Sequence, residues 1–127
     1  HTYTYKYDNN IFDSSLELAY YIWLKDQKIN FKYKPEKLEY FDNDTSHYYY
    51  PDFLVDNIFV EIKGGHLMKD GWLIDYNGNI LKAKTIFLKN LGVKFLFKND
   101  IQQYINYVKL TYGKEFLKNQ RKEYAKN

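Results

Sequence analysis

Three residues of this chain have types and spacing that could do chemistry on a phosphate: Asp52, Glu61 and Lys63. Asp56-Asn57 reads as a two-residue hairpin turn between the strands Tyr48 to Val55 and Ile58 to Lys63. With Val55 facing Ile58, the ladder sets Asp52 directly opposite Glu61. Cβ atoms so paired lie about 4.5–5.5 Å apart, and like charges there repel. Two carboxylates held together share a proton or bind a cation. Lys63 follows Glu61 by two positions and projects from the same strand face. Two oxygen ligands and an ammonium on one face suit Mg²⁺, which prefers carboxylates, water and phosphate oxygen. Such an ion, with Mn²⁺ as substitute, would acidify a water and neutralise charge on a scissile phosphate. The opposed acids also predict that Asp52→Asn relieves repulsion and raises the melting temperature of the metal-free protein.

The elements that must position these residues follow from periodicity. Leu16, Ala19, Tyr20, Trp23 and Leu24 form one helical stripe within 14–27, capped by Asp13 or Ser14. Short strands at 30–34 and 37–41 are broken at Pro35, and a loop over 42–46 leads into the hairpin. Gly64-Gly65 ends the second hairpin strand. Residues 66–80 are ambiguous, with Asn77-Gly78 as a turn signal for a small hairpin. A helix over 80–90 is closed by Gly92, a strand covers 93–97, and a last helix carries Ile101, Tyr104, Ile105 and Val108 as its stripe. The order is α-β-β-β-α-β-α, an α/β (α+β) domain around one mixed sheet.

Composition bounds the rest. A chain of 127 residues, 45% hydrophobic and 20% aromatic, fits one domain, 1–127, with an ample core. No membrane span or signal peptide is evident, and the absence of cysteine fits a reducing cytoplasm. Net charge is +3, unevenly spread. Residues 42–61 hold five acids and no Lys or Arg, whereas 82–98 hold five lysines and no acid. The tail from Lys109 adds further cations, either following a nucleic-acid backbone or forming a soluble, frayed end. An acidic spot flanked by basic segments suits a cation site beside a polyanion such as DNA. No Ser-His-Asp set, P-loop or dinucleotide fingerprint is present.

Pro51-Asp52, eight residues, then Glu61-Ile62-Lys63 resembles the signature of the PD-(D/E)XK nuclease superfamily, restriction-endonuclease-like in fold. Tyr50 to Leu54 followed by Ile58 to Gly64 looks much like phage endonuclease I, a junction-resolving enzyme. Phe12 to Tyr20, Asn99-Asp100-Ile101 and Tyr112 to Leu117 look closer still to uncharacterised phage nucleases with a C-terminal domain of this kind. There a DNA-binding region often precedes the nuclease domain, which would fit a chain opening at His1 instead of Met. The resemblance implies that Glu17, from the first helix, joins Asp52 and Glu61 around the metal. It implies the Ile62 carbonyl as a further ligand, and Lys84, ahead of Lys82, as the phosphate-directed cation of the next helix. Ser14-x-x-Glu17 is equally a capping box, in which Glu17 serves only the helix. His47 and His66 lack ligand spacing, and Tyr48-Tyr49-Tyr50 can either stack on bases or pack in the core. The expected function is a Mg²⁺-dependent DNA endonuclease, homing-type first and junction resolvase second, the latter requiring a homodimer. A catalytically silent DNA-binding module of the same fold is the alternative of another class.

Overall fold

A computed structural model describes residues 3–63 and 67–123. The elements in chain order are β1 (Tyr3–Tyr7), β2 (Asn10–Phe12), α1 (Ser15–Asp26), β3 (Phe31–Tyr33), β4 (Leu38–Asp42), β5 (Thr45–Tyr49), β6 (Phe53–Val55) and β7 (Ile58–Lys63). There follow β8 (Met68–Lys69), β9 (Trp72–Leu73), α2 (Lys82–Asn90), β10 (Lys94–Phe97), α3 (Lys98–Tyr112), α4 (Phe116–Asn119) and β11 (Arg121–Glu123). The backbone gathers into two compact units, one from His1–Ile29 with Asn99–Asn127 and one from Asn30–Lys98.

In the first unit β1 pairs antiparallel with both β2 and β11. Neither this small sheet nor α4 is in the expected order, which begins at the first helix and ends with the last helix before a frayed tail. Tail and N-terminus fix each other instead, with Tyr5 opposite Arg121 and the Arg121 guanidinium 4.1 Å from the Tyr3 ring centre. Ser14 caps α1 by accepting the Glu17 N–H. The buried part of α1 is wider than one stripe, because Leu18, Tyr21 and Ile22 are buried along with Ala19, Tyr20 and Leu24. A helix apolar on most sides is an interior helix. Tyr104 of α3 packs its ring 5.0 Å from Tyr20 and 4.6 Å from Trp23, and Ile101 and Val108 are fully buried.

The second unit is built on a four-stranded mixed sheet of order β10-β7-β6-β3. β7 is parallel to β10 and antiparallel to β6, which is antiparallel to β3. The expected mixed sheet is therefore present, but it is not alone, since β4-β5 and β8-β9 form separate two-stranded ribbons. Asp56 and Asn57 both take positive φ, 47° and 68°, so the expected two-residue turn closes β6–β7. Asn43-Asp44 closes β4–β5 the same way, where a loop was expected. The small hairpin turns at Asp70-Gly71; Asn77-Gly78 instead lies in the loop bridged by Ile74 and Ile80. The expected continuous strand 48–55 breaks at Tyr50-Pro51-Asp52. Proline has no N–H for a ladder, so the chain leaves the β4-β5 ribbon there and enters the central sheet at Phe53. Phe53 and Val60 are buried on one sheet face. A second cluster, Tyr49, Leu73 and Leu88 with Phe87 and Phe95 against it, joins α2 to β5, β9 and β10.

Candidate active site

The ladder register carries the site. Val55 pairs with Ile58 and Phe53 with Val60, so the next positions outward are Asp52 and Glu61. Pairs alternate between hydrogen-bonded and open, and the turn makes Val55–Ile58 hydrogen-bonded; position 52/61 is thus of the open kind, where side chains come closest. Asp52 lies one residue before β6, and its Oδ2 accepts the Ile62 N–H at 2.7 Å. That bond replaces a ladder contact and ties the carboxylate to the strand bearing Glu61 and Lys63. The Ile62 carbonyl points to the same side of β7 as its N–H, where Pro51 has no N–H to meet it.

Glu61 is 7% exposed. A buried carboxylate needs partners, and it has them: the Tyr49 hydroxyl donates to Oε1 at 2.9 Å, and Lys63 Nζ lies 2.8 Å from Oε2. Burial, then the Glu61 carboxylate, pushes the Tyr49 phenol far above its ordinary range, so Tyr49 stays a neutral donor. From sequence, Tyr49 is expected either to stack on bases or to pack in the core. The structure places it in the core, with Tyr48 and Tyr50 exposed on either side, and adds its hydrogen bond to the site. Strand alternation was the only signal for this.

Lys84 of α2 is brought to the same place. Burial lowers its pKa and the positive charge of Lys63 lowers it further, while Glu61 and Asp52 pull it up. Lys82, two residues earlier and therefore near the opposite side of the helix, is exposed. The repulsion expected between Asp52 and Glu61 is met by Lys63, Tyr49 and the Ile62 N–H, and Asp52→Asn trades a hydrogen-bonded carboxylate for a neutral amide, which runs against the expected gain in stability of the metal-free protein. Lys63 and Lys84 line a cavity of about 220 Å³ with Leu73, Leu81, Asp75 and Tyr76. A larger groove of about 720 Å³, over Lys32, Lys34, Leu54 and Phe59, lies along the same sheet face, because Lys32 pairs with Leu54 and Leu54 with Phe59. The smaller cavity is lined by the two lysines of the site; the larger, with Glu36 also in its wall, offers a mainly basic path on the face that bears Asp52, Glu61 and Lys63.

Glu17 belongs to the first unit. It is 8% exposed, and its Oε2 accepts from the Ser14 hydroxyl at 3.2 Å while its own N–H donates to Ser14 Oγ. The half of the capping box formed by the Glu17 N–H is present, with the carboxylate on the Ser14 hydroxyl, and the link to a metal rests on the resemblance alone. Among the described residues no group of three or more Asp, Glu, His or Cys gathers where it could hold a metal ion. His47 stacks on Tyr40, Tyr48 lies under Lys37 Nζ at 4.2 Å, and His66 falls outside the described residues. Lys109, Lys114, Lys118 and Arg121 line a groove of about 480 Å³ in the first unit, together with Glu115.

A family model described as phage endonuclease I matches residues 2–125, through both units. The chain belongs to the phage endonuclease I family. No curated protein and no solved structure matches it significantly. Membership makes the chain an endonuclease, a hydrolase acting on DNA. It also accounts for the pieces outside the hairpin, near Asp13, Asp100 and Gly113, since the match runs across all of them. No described helix of this endonuclease is long and apolar enough to cross a membrane.

Proposed function

We propose that the chain is a divalent-metal-dependent endonuclease of the PD-(D/E)XK type that cuts branched DNA. The observation that carries this reading is the convergence of Asp52, Glu61, Lys63 and Lys84 at the end of β7. The donor set fits Mg²⁺ or Mn²⁺: carboxylate oxygens of Asp52 and Glu61 and the Ile62 carbonyl would hold the ion, water completing its shell. Glu17 enters as a further ligand by resemblance. When bound, the ion supplies positive charge against the phosphate and acidifies a water.

The chain's own groups do the rest. Glu61 holds the Lys63 ammonium at 2.8 Å, within a strand whose register is fixed. From there Lys63 orients the attacking water and meets the charge that develops on the phosphate oxygens. Lys84, with its lowered pKa, gives up a proton more readily than an ordinary lysine and suits the sugar oxygen that leaves as the P–O bond breaks. Lys32 and Lys34 supply a basic path for the adjoining backbone. A homodimer would place two such sites on paired strands of a junction.

The homing-type expectation rested on the pieces outside the hairpin. The family match covers those pieces, so junction resolution becomes the preferred reading. Cleavage of four-way-junction, nicked and linear DNA with Mg²⁺, Mn²⁺, Ca²⁺ or EDTA tests it. The junction should be cut preferentially, with Mg²⁺ or Mn²⁺ but not efficiently with Ca²⁺. Asp52→Ala and Lys63→Ala should each lower turnover at least about a hundredfold. Full turnover in EDTA refutes the metal, equal cutting of linear DNA refutes junction selectivity, and no cutting by the folded protein leaves the silent DNA-binding module.

A further inference from the structure

The loop between β9 and α2 has no part in the chemistry above, yet it is built with unusual care for an exposed segment. Asp75 Oδ1 accepts the N–H groups of both Asn77 and Asn79 at 2.9 Å, and Oδ2 accepts the Asn79 amide at 3.2 Å. The Asp75 N–H donates to the Asn79 carbonyl at 2.9 Å, and the Gly78 N–H to the Asp75 carbonyl at 3.0 Å. Gly78, at φ 84°, supplies the left-handed residue this turn needs. Bridging of Ile74 to Ile80 and a 2.8 Å bond from the Leu81 N–H to the Leu73 carbonyl anchor its base.

What this frame carries is Tyr76, 88% exposed, against 67% for Tyr50 and 61% for Phe41. A ring so exposed adds almost no buried area, so the fold gains little from it. It nevertheless stands at the cavity that Lys63 and Lys84 line. A rigid aromatic beside two cations matches how proteins bind unstacked nucleic acid, with cations on the backbone and a ring against a base. A frame fixed in advance also limits the ordering cost that binding would otherwise carry.

We propose that Tyr76 is a stacking platform for an unstacked nucleobase next to the phosphate held by Lys63 and Lys84, which favours DNA whose bases are freed at a branch point. The inference rests on the nuclease reading of that same cavity. Any π-face can stack on the ring, so the platform selects DNA structure over sequence.

The test uses the full chain and a four-way junction carrying 2-aminopurine, in turn, at each position flanking the cut. Binding is read with Ca²⁺ in place of Mg²⁺, which leaves Lys63 in its place, and cleavage is read with Mg²⁺. Wild-type Tyr76 should quench one flanking 2-aminopurine. Tyr76→Ala should abolish that quenching, weaken junction binding about tenfold, within the range for losing one base–aromatic stack, and leave the melting temperature unchanged. Tyr76→Phe and Tyr76→Trp, which keep a ring, should recover binding to within about threefold of the parent. Tyr76→Ala that binds and cuts the junction as the parent does would overturn the proposal while the nuclease reading stands. So would Phe as damaging as Ala, which would assign the effect to the hydroxyl. A parent chain that cuts no DNA would remove the nuclease reading itself, and the platform with it.

Discussion

Replacing Tyr49 with phenylalanine removes one hydroxyl and leaves the ring packed with Leu73 and Leu88. The hydroxyl is the 2.9 Å donor to Glu61 Oε1, and both side chains are buried. Hydrogen bonds to charged groups contribute about 1.5–3 kcal/mol when one partner is deleted. At roughly 4 °C per kcal/mol for a chain this size, the melting temperature should fall by about 6–12 °C near neutral pH. The pH dependence gives a sharper check. The folded-state pKa of Tyr49 is raised above the ordinary tyrosine value of about 10. Below that value both folded and unfolded chains keep the proton, and the hydroxyl's contribution is fully present. As pH rises above it, the unfolded chain gives up the proton while the folded chain keeps it, so stability falls. The stability difference between parent and Tyr49→Phe, from urea unfolding at several pH values, should therefore be constant to about pH 9 and shrink above pH 10. Taking the difference cancels the other tyrosines. Cleavage should fall about tenfold, because Glu61 loses one of the two contacts that orient it. A variant as stable as the parent, or a gap unchanged at pH 11, would refute the argument that this bond is formed and buried.

Lys84→Met should raise the metal-free melting temperature at neutral pH while lowering cleavage at least about tenfold. Burial and Lys63 lower the Lys84 pKa, so its charge opposes folding below that lowered value and is relieved as pH rises toward 10.5; thermal denaturation should show the gain shrinking in that direction, and a loss of stability at pH 7 would contradict it. Glu17→Gln should keep the metal-free melting temperature within a few degrees, because an amide oxygen can still accept from the Ser14 hydroxyl. If Glu17 is also a ligand, as the resemblance implies, cleavage should drop at least about tenfold, roughly 1.4 kcal/mol; unchanged activity would confine the residue to its capping role.

Local signals were legible where the chemistry is local. Asp56-Asn57 fixes the β6–β7 register, and that register alone sets Asp52 against Glu61 and puts Lys63 on the same face. The same turn chemistry stood unread at Asp8-Asn9 and Asn43-Asp44, whose positive φ values close β1–β2 and β4–β5. Those turns lacked flanking strands with clean alternation, so polar dipeptides there looked like ordinary loops. Glu17 was legible as an N-cap partner because capping is decided within four residues.

Other features had no local trace. Pairing of β1 with β11 joins the two ends of the chain, and no window of sequence contains both strands. Lys84 differs from Lys82 only in the side of α2 it occupies and in what packs there, and burial beside Lys63 is what lowers its pKa. Tyr49 came to orient the Glu61 carboxylate because the break at Pro51 swings β5 out of the central sheet while its ring stays in the core beside Glu61. Turn type, strand alternation and capping are properties of a few consecutive residues, so the sequence by itself determined the hairpin and its acid pair. Desolvation and charge proximity depend on which distant segments meet, so the partners that make the pair tolerable were decided only by the tertiary structure.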